Sequence, residues 1–562
     1  MKKTKVVHGL GSITWIALIL LSACAPAAAP VIQQVEVTRI VAGETVKEIV
    51  EVTAQPPEVK LGPGGEVLAA EQLVRRLERS KKDAIKPNGE GSSGRDYIRV
   101  VWKAMLDQGP DGTLLPALAD SVDVSADEMT FTVHLNPNAV FSNGKPITAL
   151  SVKKCWEWGD LATRLPSWGA SHLILTRVEG MDDVNLGKAT EASGLKVIDD
   201  QTLEIKLSKP AHGFKSMLSS YNLGVFDVSE AVDDINYWKK PTVSGPYLIE
   251  WDIDSGLIVL TPNPKWWGNP VTIQRVELAI LADPQSRLIA YENDEVDILK
   301  DTGDLTNELL TMFGDQLTRI PSHGMFYFGF NTENKPTDDV HVRRAMVMAL
   351  DRKTIVEGLF PNRNVTDRVI QANSMCFNKD LPALYQPDKA KAELALSKYA
   401  PNIPVIKVQY WTSITYWARI VAAFQEAWKQ NLGLNVEAFP TDVALDGMNL
   451  MRLSGGPAVN DPSDFLSKLV TIGGPTALDQ KYSSTQEMND LAAKADALPD
   501  SANTERCKLY QELEKMFLVD DAGLLPVTDV PYRYLVKNKI KGFYTNGNQD
   551  IPWDVMYVVA DE

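Results

Sequence analysis

Two hydrophobic periods are interleaved along this chain, and neither recurs at a fixed interval. Phe131, Val133 and Leu135 alternate with Thr132 and His134, and Leu203, Ile205 and Leu207 repeat that pattern. Both segments predict strands with one buried face. Asn143-Gly144 predicts a tight turn before Pro146-Ile147. Val342, Ala345, Met346, Ala349 and Leu350 recur instead at helical spacing, after the helix-starting pair Asp338-Asp339. Trp417, Ile420, Val421, Phe424 and Trp428 form a second helical stripe that ends near Leu432-Gly433. Leu509, Leu513, Met516 and Phe517 form a third. Strands and helices mixed without a regular βαβ order imply α/β sheets distributed over several lobes. A chain of 562 residues has enough core for about two to four domains.

The amino-terminal segment sets the compartment. Lys2, Lys3 and Lys5 precede an apolar run from Ile13 to Leu21. That run is shorter than the roughly 20 apolar residues a bilayer span needs, and it reads as an export signal. Leu21-Ser22-Ala23-Cys24 is similar to the bacterial lipobox. The likeness implies removal of residues 1–23 and a diacylglycerol on the Cys24 thiol. The mature protein is then extracytoplasmic and membrane-anchored. Residues 24–61 open with Ala-Pro repeats and carry few large side chains, so they read as a flexible tether. As a coil, its roughly 37 residues span about 30–40 Å r.m.s.. Alternation at Val35 and Val37 keeps a strand reading open.

The formal net charge of −16 argues against a nucleic-acid partner, whose phosphates demand a basic face. Beyond Cys24 only Cys155, Cys376 and Cys507 remain. They form no zinc spacing; one bridge is possible outside the cytoplasm, and its pairing stays open. Gly89-Glu90-Gly91-Ser92-Ser93-Gly94 fits a dinucleotide-binding pattern literally, but Lys81 to Asn88 is no buried strand, so it reads as a loop.

Six further segments fall in a recognisable order. Asp111 to Ala119, with Phe131 to Leu135 and Phe141 to Thr148, comes first. Val243-Ser244-Gly245-Pro246-Tyr247 follows with Asn263-Pro264-Lys265-Trp266-Trp267-Gly268, then Ala290 to Ile298. Phe330-Asn331-Thr332, Val342-Arg343-Arg344-Ala345 and Ala349-Leu350-Asp351-Arg352 make a block, closed by Arg506, Leu509-Tyr510 and Val536 to Phe543. Together they resemble the family 5 extracellular solute-binding proteins, the oligopeptide-binding-protein-like receptors of ABC importers. The resemblance implies an α/β, two-lobed periplasmic-binding-protein fold of type II, with an extra domain inserted in the first lobe and a ligand cleft between lobes. Its expected division is 62–95, 196–325 and 527–562 for lobe 1, 96–195 for the insert and 326–526 for lobe 2. It implies a monomeric receptor that closes on a small oligomeric solute and presents it to a membrane permease. No cofactor or metal is implied.

Peptide-binding relatives carry a stretch like W-x-A-D-Y-x-[DE]-P whose Asp meets the peptide amino terminus. Here Gly455 to Pro462 aligns with it: Gly455 stands at the Trp position and Ala458 at the Asp position, while Asp461-Pro462 and Arg452 fit. Either Asp461 or Asp464 substitutes as the amine anchor, or the ligand has no free amino terminus, as an oligosaccharide has none. Tyr410-Trp411 ends a predicted strand at a place where the family lines its cleft, and Tyr416 and Trp417 open a helix. An aromatic face there can stack on a sugar or pack a peptide side chain. The expected ligand-binding set is Tyr410, Trp411, Tyr416, Arg452 and Asp461. Trp417 and Trp428 read as helix core, and Trp266-Trp267 as packing. Trp156, Trp158 and Trp168 are weaker candidates for the cleft rim.

Thirteen tryptophans and many carboxylates also suit a secreted glycoside hydrolase. No nucleophile elbow and no H-E-x-x-H occurs, and the six histidines are scattered. The expectation is a binding protein and not an enzyme.

Overall fold

Alternation becomes sheet where it is cleanest. Thr130–Leu135 buries Phe131, Val133 and Leu135 and pairs antiparallel with Ala119–Val124 on one side and Thr202–Lys206 on the other. Leu195–Val197 completes this four-stranded sheet. The Asn143-Gly144 turn forms as expected, with Gly144 at φ 85° and Phe141 and Lys145 joined by a backbone hydrogen bond. The sheet reaches Lys206, past the expected end of the insert at 195, because Leu203 and Ile205 share the buried face of Phe131.

The structure, a computed structural model, describes residues 31–41, 44–54, 60–78, 95–160, 171–211, 213–230, 233–301, 305–320, 323–359, 364–412, 416–456, 461–471, 484–499, 502–529, 532–545 and 551–560. Cys24, the Gly89–Gly94 loop, Ala458 and Trp168 lie outside them. The chain divides into two compact units, residues 1–67 and 68–562. In the first, the coil expected over 24–61 gives way to a hairpin. Val31–Val41 pairs antiparallel with Glu44–Ala54, from Val31 opposite Ala54 to Val41 opposite Glu44. Valine, isoleucine and threonine alternating with polar residues favour the pleated form.

The second unit holds two larger sheets. One has seven strands, in the order Tyr247–Trp251, Ile258–Pro262, Arg275–Ile280, Leu73–Glu78, Ile298–Asp301, Tyr532–Val536, Thr318–Ile320. The other has five: Val436–Pro440, Ile406–Tyr410, Leu450–Gly455, Met325–Phe330, Leu524–Asp529. Their cores are separate. Val74, Tyr247, Val276 and Tyr534 belong to a core continuous with Phe131 and Val133, so the insert and the first lobe share one interior. Phe328, Val408, Trp417, Trp428 and Phe517 belong to another, the second lobe. Among the described strands the chain crosses between the two sheets twice. Thr318–Ile320 leads to Met325–Phe330, and Leu524–Asp529 leads back to Tyr532–Val536. Two adjacent crossings join two independent cores, the layout of a two-lobed fold.

Helices begin and end where the sequence signals stand. Asp339 accepts from the His341 amide at 2.9 Å and starts Val340–Met348. Trp417–Leu432 stops at Gly433, whose φ of 71° satisfies the left-handed cap. Among the described residues no helix is long and apolar enough to cross a membrane.

Candidate functional site

Buried charge requires a partner, and the second lobe is organised by that rule. Arg452 lies on Leu450–Gly455, opposite Phe328, with 1% of its surface exposed. Its guanidinium sits 4.6 Å from the Phe326 ring centroid and 5.0 Å from each of Trp411 and Trp417. Contacts of this kind contribute about 0.5–1 kcal/mol each when exposed and about 2 kcal/mol or more when desolvated. Trp417 is fully buried against Phe326 and Phe328, and Trp428 donates to the Met346 carbonyl at 2.8 Å, so both are core, as expected. Tyr416 packs on Trp417 with 5% exposed. Tyr410 and Trp411 remain half-buried. Trp411 and Tyr410 thus form the more accessible part of this aromatic shelf, with Arg452 buried behind Trp411.

Asp461 is 3% exposed and receives both terminal nitrogens of Arg506 at 2.7 Å. It also accepts from the Ser463 amide at 2.9 Å. Asp464 pairs with Lys468. Each of the two carboxylates that the sequence offers as an amine anchor is thus paired with a cation, Asp461 with Arg506 and Asp464 with Lys468. Arg506 continues into a network, since it donates to the Tyr510 hydroxyl at 3.0 Å and Tyr510 donates to Asp496. Burial alone would lower the Arg506 pKa, but its hydrogen bonds and charge contact with Asp461 hold it raised. Burial raises the Asp496 carboxyl. Arg506 was visible in sequence only as part of a closing motif; its distance of 45 residues from Asp461 gave no local signal.

The Trp position of the aligned stretch is closed by packing. A Cβ on Gly455 would stand 2.7 Å from the Phe465 ring, so Phe465 occupies the room a larger side chain would need. A Cβ on Gly456 would stand 2.4 Å from the Gly324 Cα, where the two backbones pass in contact.

A pocket of about 380 Å³ lies at the strand crossings, and sequence reading missed it. Its walls include Arg319, Asn364, Asp367, Arg368, Gln371 and Asp529. Arg319 belongs to the seven-stranded sheet and pairs with Asp529 of the five-stranded one at 2.7 Å. Arg368 pairs with Asp367 at 2.8 Å. Asn364 is held by Thr528 and Asp529 at 2.7 and 3.1 Å. The 364–377 segment has no hydrophobic period, so nothing local announced it. Cys376 and Cys507 form a disulfide, which closes the pairing left open by sequence. Cys155 is a buried free thiol, pushed up to about 12 by burial. The weaker rim candidates are packing residues: Trp156 is buried and Trp158 lies edge-on to Phe226. Trp266 and Trp267 stack at 4.7 Å, and Trp267 packs on the core. Among the described residues no cluster of three or more His, Cys, Asp or Glu is placed to hold a metal.

Known proteins resemble this chain in sequence and fold. Residues 113–475 match the middle region of the bacterial extracellular solute-binding proteins, family 5. The periplasmic murein peptide-binding protein MppA of Escherichia coli is 25% identical over 531 residues, 88% of this chain and 95% of that protein. The oligopeptide-binding protein OppA of Bacillus subtilis is 25% identical over 483 residues, 81% of this chain and 86% of that protein. The solved structure of the Escherichia coli murein tripeptide binding protein MppA aligns with a TM-score of 0.77 at 22% identity, over 88% of this chain and 100% of that one, which is a likeness of fold. With two cores, a double strand crossing and a family match over most of its length, the chain belongs to the bacterial extracellular solute-binding proteins, family 5, whose members are substrate-binding proteins and not enzymes.

Proposed function

We propose that this protein is an extracytoplasmic receptor that closes its lobes on a short peptide-like solute and delivers it to an ABC permease. The observation that carries the reading is the pocket of about 380 Å³ at the crossings, lined by Arg319 of the seven-stranded sheet, Asp529 of the five-stranded sheet, and Asn364 to Arg368 with Gln371. A solute seated there contacts both lobes only in the closed form, so it shifts the open–closed equilibrium. That volume lies at the low end for small-molecule sites, roughly 300–1,000 Å³, and suits a short solute. The names of MppA and OppA support the peptide class. Trp411 and Tyr410 are the proposed stacking contacts, with Arg452, Tyr416 and Asp461 holding the wall behind them. Anchoring through a lipidated Cys24 keeps the receptor near its permease, since two or more acyl chains retain a protein stably on a membrane. Cys24→Ser is expected to release a soluble protein that still binds.

Ala458, which replaces the family's carboxylate, favours a second ligand class, one without a free amino terminus such as an oligosaccharide. Thermal shift against tripeptides, their N-acetylated forms and oligosaccharides separates the readings. A bound ligand at a hundred times its Kd stabilises by about 2.7 kcal/mol. Equal shifts with free and acetylated peptides support a peptide receptor without an amine anchor. Shifts with oligosaccharides alone overturn the peptide class, and product release from any of them overturns the receptor.

A further inference from the structure

One helix reaches both walls of the candidate site. Arg506, Tyr510 and Glu514 recur every four residues on Asn503–Lys515, hence on one face, and Cys507 and Gln511 lie beside them. Arg506 holds Asp461, as described. Glu514 is fully buried, and its Oε1 accepts from the amides of Val369 and Ile370, each at 2.7 Å. Gln511 donates to the carbonyls of Cys376 and Phe377 at 3.3 Å. The Cys376–Cys507 bridge adds a covalent tie. The contacts of Glu514, Gln511 and Cys507 fall on the 364–377 segment, which contributes to the pocket at the crossings. Within it Cys376 sits at φ 64°, in the left-handed region that non-glycine residues adopt uncommonly. A small cavity between the two walls is lined by Val369 and Ile370 from one and by Asp461 and Pro462 from the other.

We propose that Asn503–Lys515 is the positioning element of the binding site, with Glu514, Gln511 and the Cys376–Cys507 bridge setting the 364–377 wall and Arg506 setting the 461–464 wall. None of these residues lines the pocket at the crossings. They act through the wall they hold. The inference rests on the receptor reading for its effect on affinity, but not for its effect on the wall.

The test uses the full chain in three forms: Cys376→Ser with Cys507→Ser, Glu514→Leu, and Glu514→Gln. Glutamine keeps a side-chain oxygen that can accept both amides, so it is the rescue. Hydrogen exchange is followed over 364–377, with Thr130–Leu135 as internal reference. Exchange of the wall is expected to rise at least tenfold in the first two forms, with the reference unchanged, and to stay within twofold of the parent in Glu514→Gln. Affinity for a defined library of tri- to pentapeptides is expected to fall at least fivefold in the first two and to be restored in the third. Unchanged exchange over 364–377 overturns the proposal, as does a loosened wall with unaltered peptide affinity. If the parent protein takes up no peptide, the peptide reading fails, and exchange alone decides the clamp.

Discussion

The insert and the second lobe use the same device to different ends. In the insert, Glu157 on helix Ala149–Gly159 accepts from the Ala192 amide at 2.8 Å, and Lys153, one turn earlier on that helix, pairs with it. In the second lobe, Glu514 accepts two loop amides, but its buried Oε2 has no hydrogen-bond partner among the described residues, and no lysine stands one turn away on its helix. Burial pushes Glu514 up to about 7, against the pull of its two amides and of Arg368, with Asp367 adding to the rise. The contrast teaches that a carboxylate holding a loop is a fixed strut when its own helix supplies the cation. Left alone, it becomes a group that titrates near neutrality. The unaccompanied strut is the one under the pocket wall.

The largest expected effect breaks the second-lobe network at its cation. Arg506→Met leaves Asp461 buried with a lost partner and is expected to destabilise the fold by about 3–5 kcal/mol in urea denaturation. A loss under about 1 kcal/mol would mean the pair is not what holds that wall.

Next comes the titration. Glu514 binds its proton more tightly folded than unfolded, where its pKa returns to about 4.5. The native state therefore holds the extra proton between those values, and stability falls as pH rises from about 4.5 through 7, by roughly 3 kcal/mol at most. Glu514→Gln should flatten that part of the melting temperature profile. An equally steep profile in the variant would assign the slope to other groups.

Glu157→Gln sharpens the comparison from the other side. It keeps an acceptor for Ala192 and weakens the Lys153 pair, for a loss of about 1–2 kcal/mol with peptide affinity unchanged. If affinity falls as far as in Glu514→Leu, the two helices do not differ in the way proposed. A comparable stability effect is expected at the half-buried Trp411. Trp411→Ala loses its contact with Arg452 and is expected to cost about 1–2 kcal/mol of stability while weakening solute binding about tenfold, or 1.4 kcal/mol. Unchanged affinity there would remove the aromatic shelf from the site.

Most of the fold was legible because it rests on local periods. Phe131 to Leu135, Leu203 to Leu207 and the stripes at 342–350 and 417–432 appear as strands and helices near their expected ends. The site was less legible. Trp411 and Arg452 were found through alignment with a motif, but the sandwich of Arg452 among Phe326, Trp411 and Trp417 joins three separate segments. The pairing of Asp461 with Arg506 was not legible, because Arg506 lies on a helix that packs beside it only in three dimensions. The hairpin at 31–54 was missed for a different reason: its alternation is visible at Val35 and Val37, but the Ala-Pro opening of the segment weighed toward coil.

By itself the sequence determined the mixed α/β class, the caps and turns, and the family, since each is carried by spacing along the chain or by motifs in order. Tertiary structure alone decided which charges are neutralised, which cysteines pair and where the pocket opens. Those outcomes depend on contacts such as Arg506 with Asp461, Cys376 with Cys507 and Arg319 with Asp529. Burial forces such partners together, and no period in the sequence records that demand.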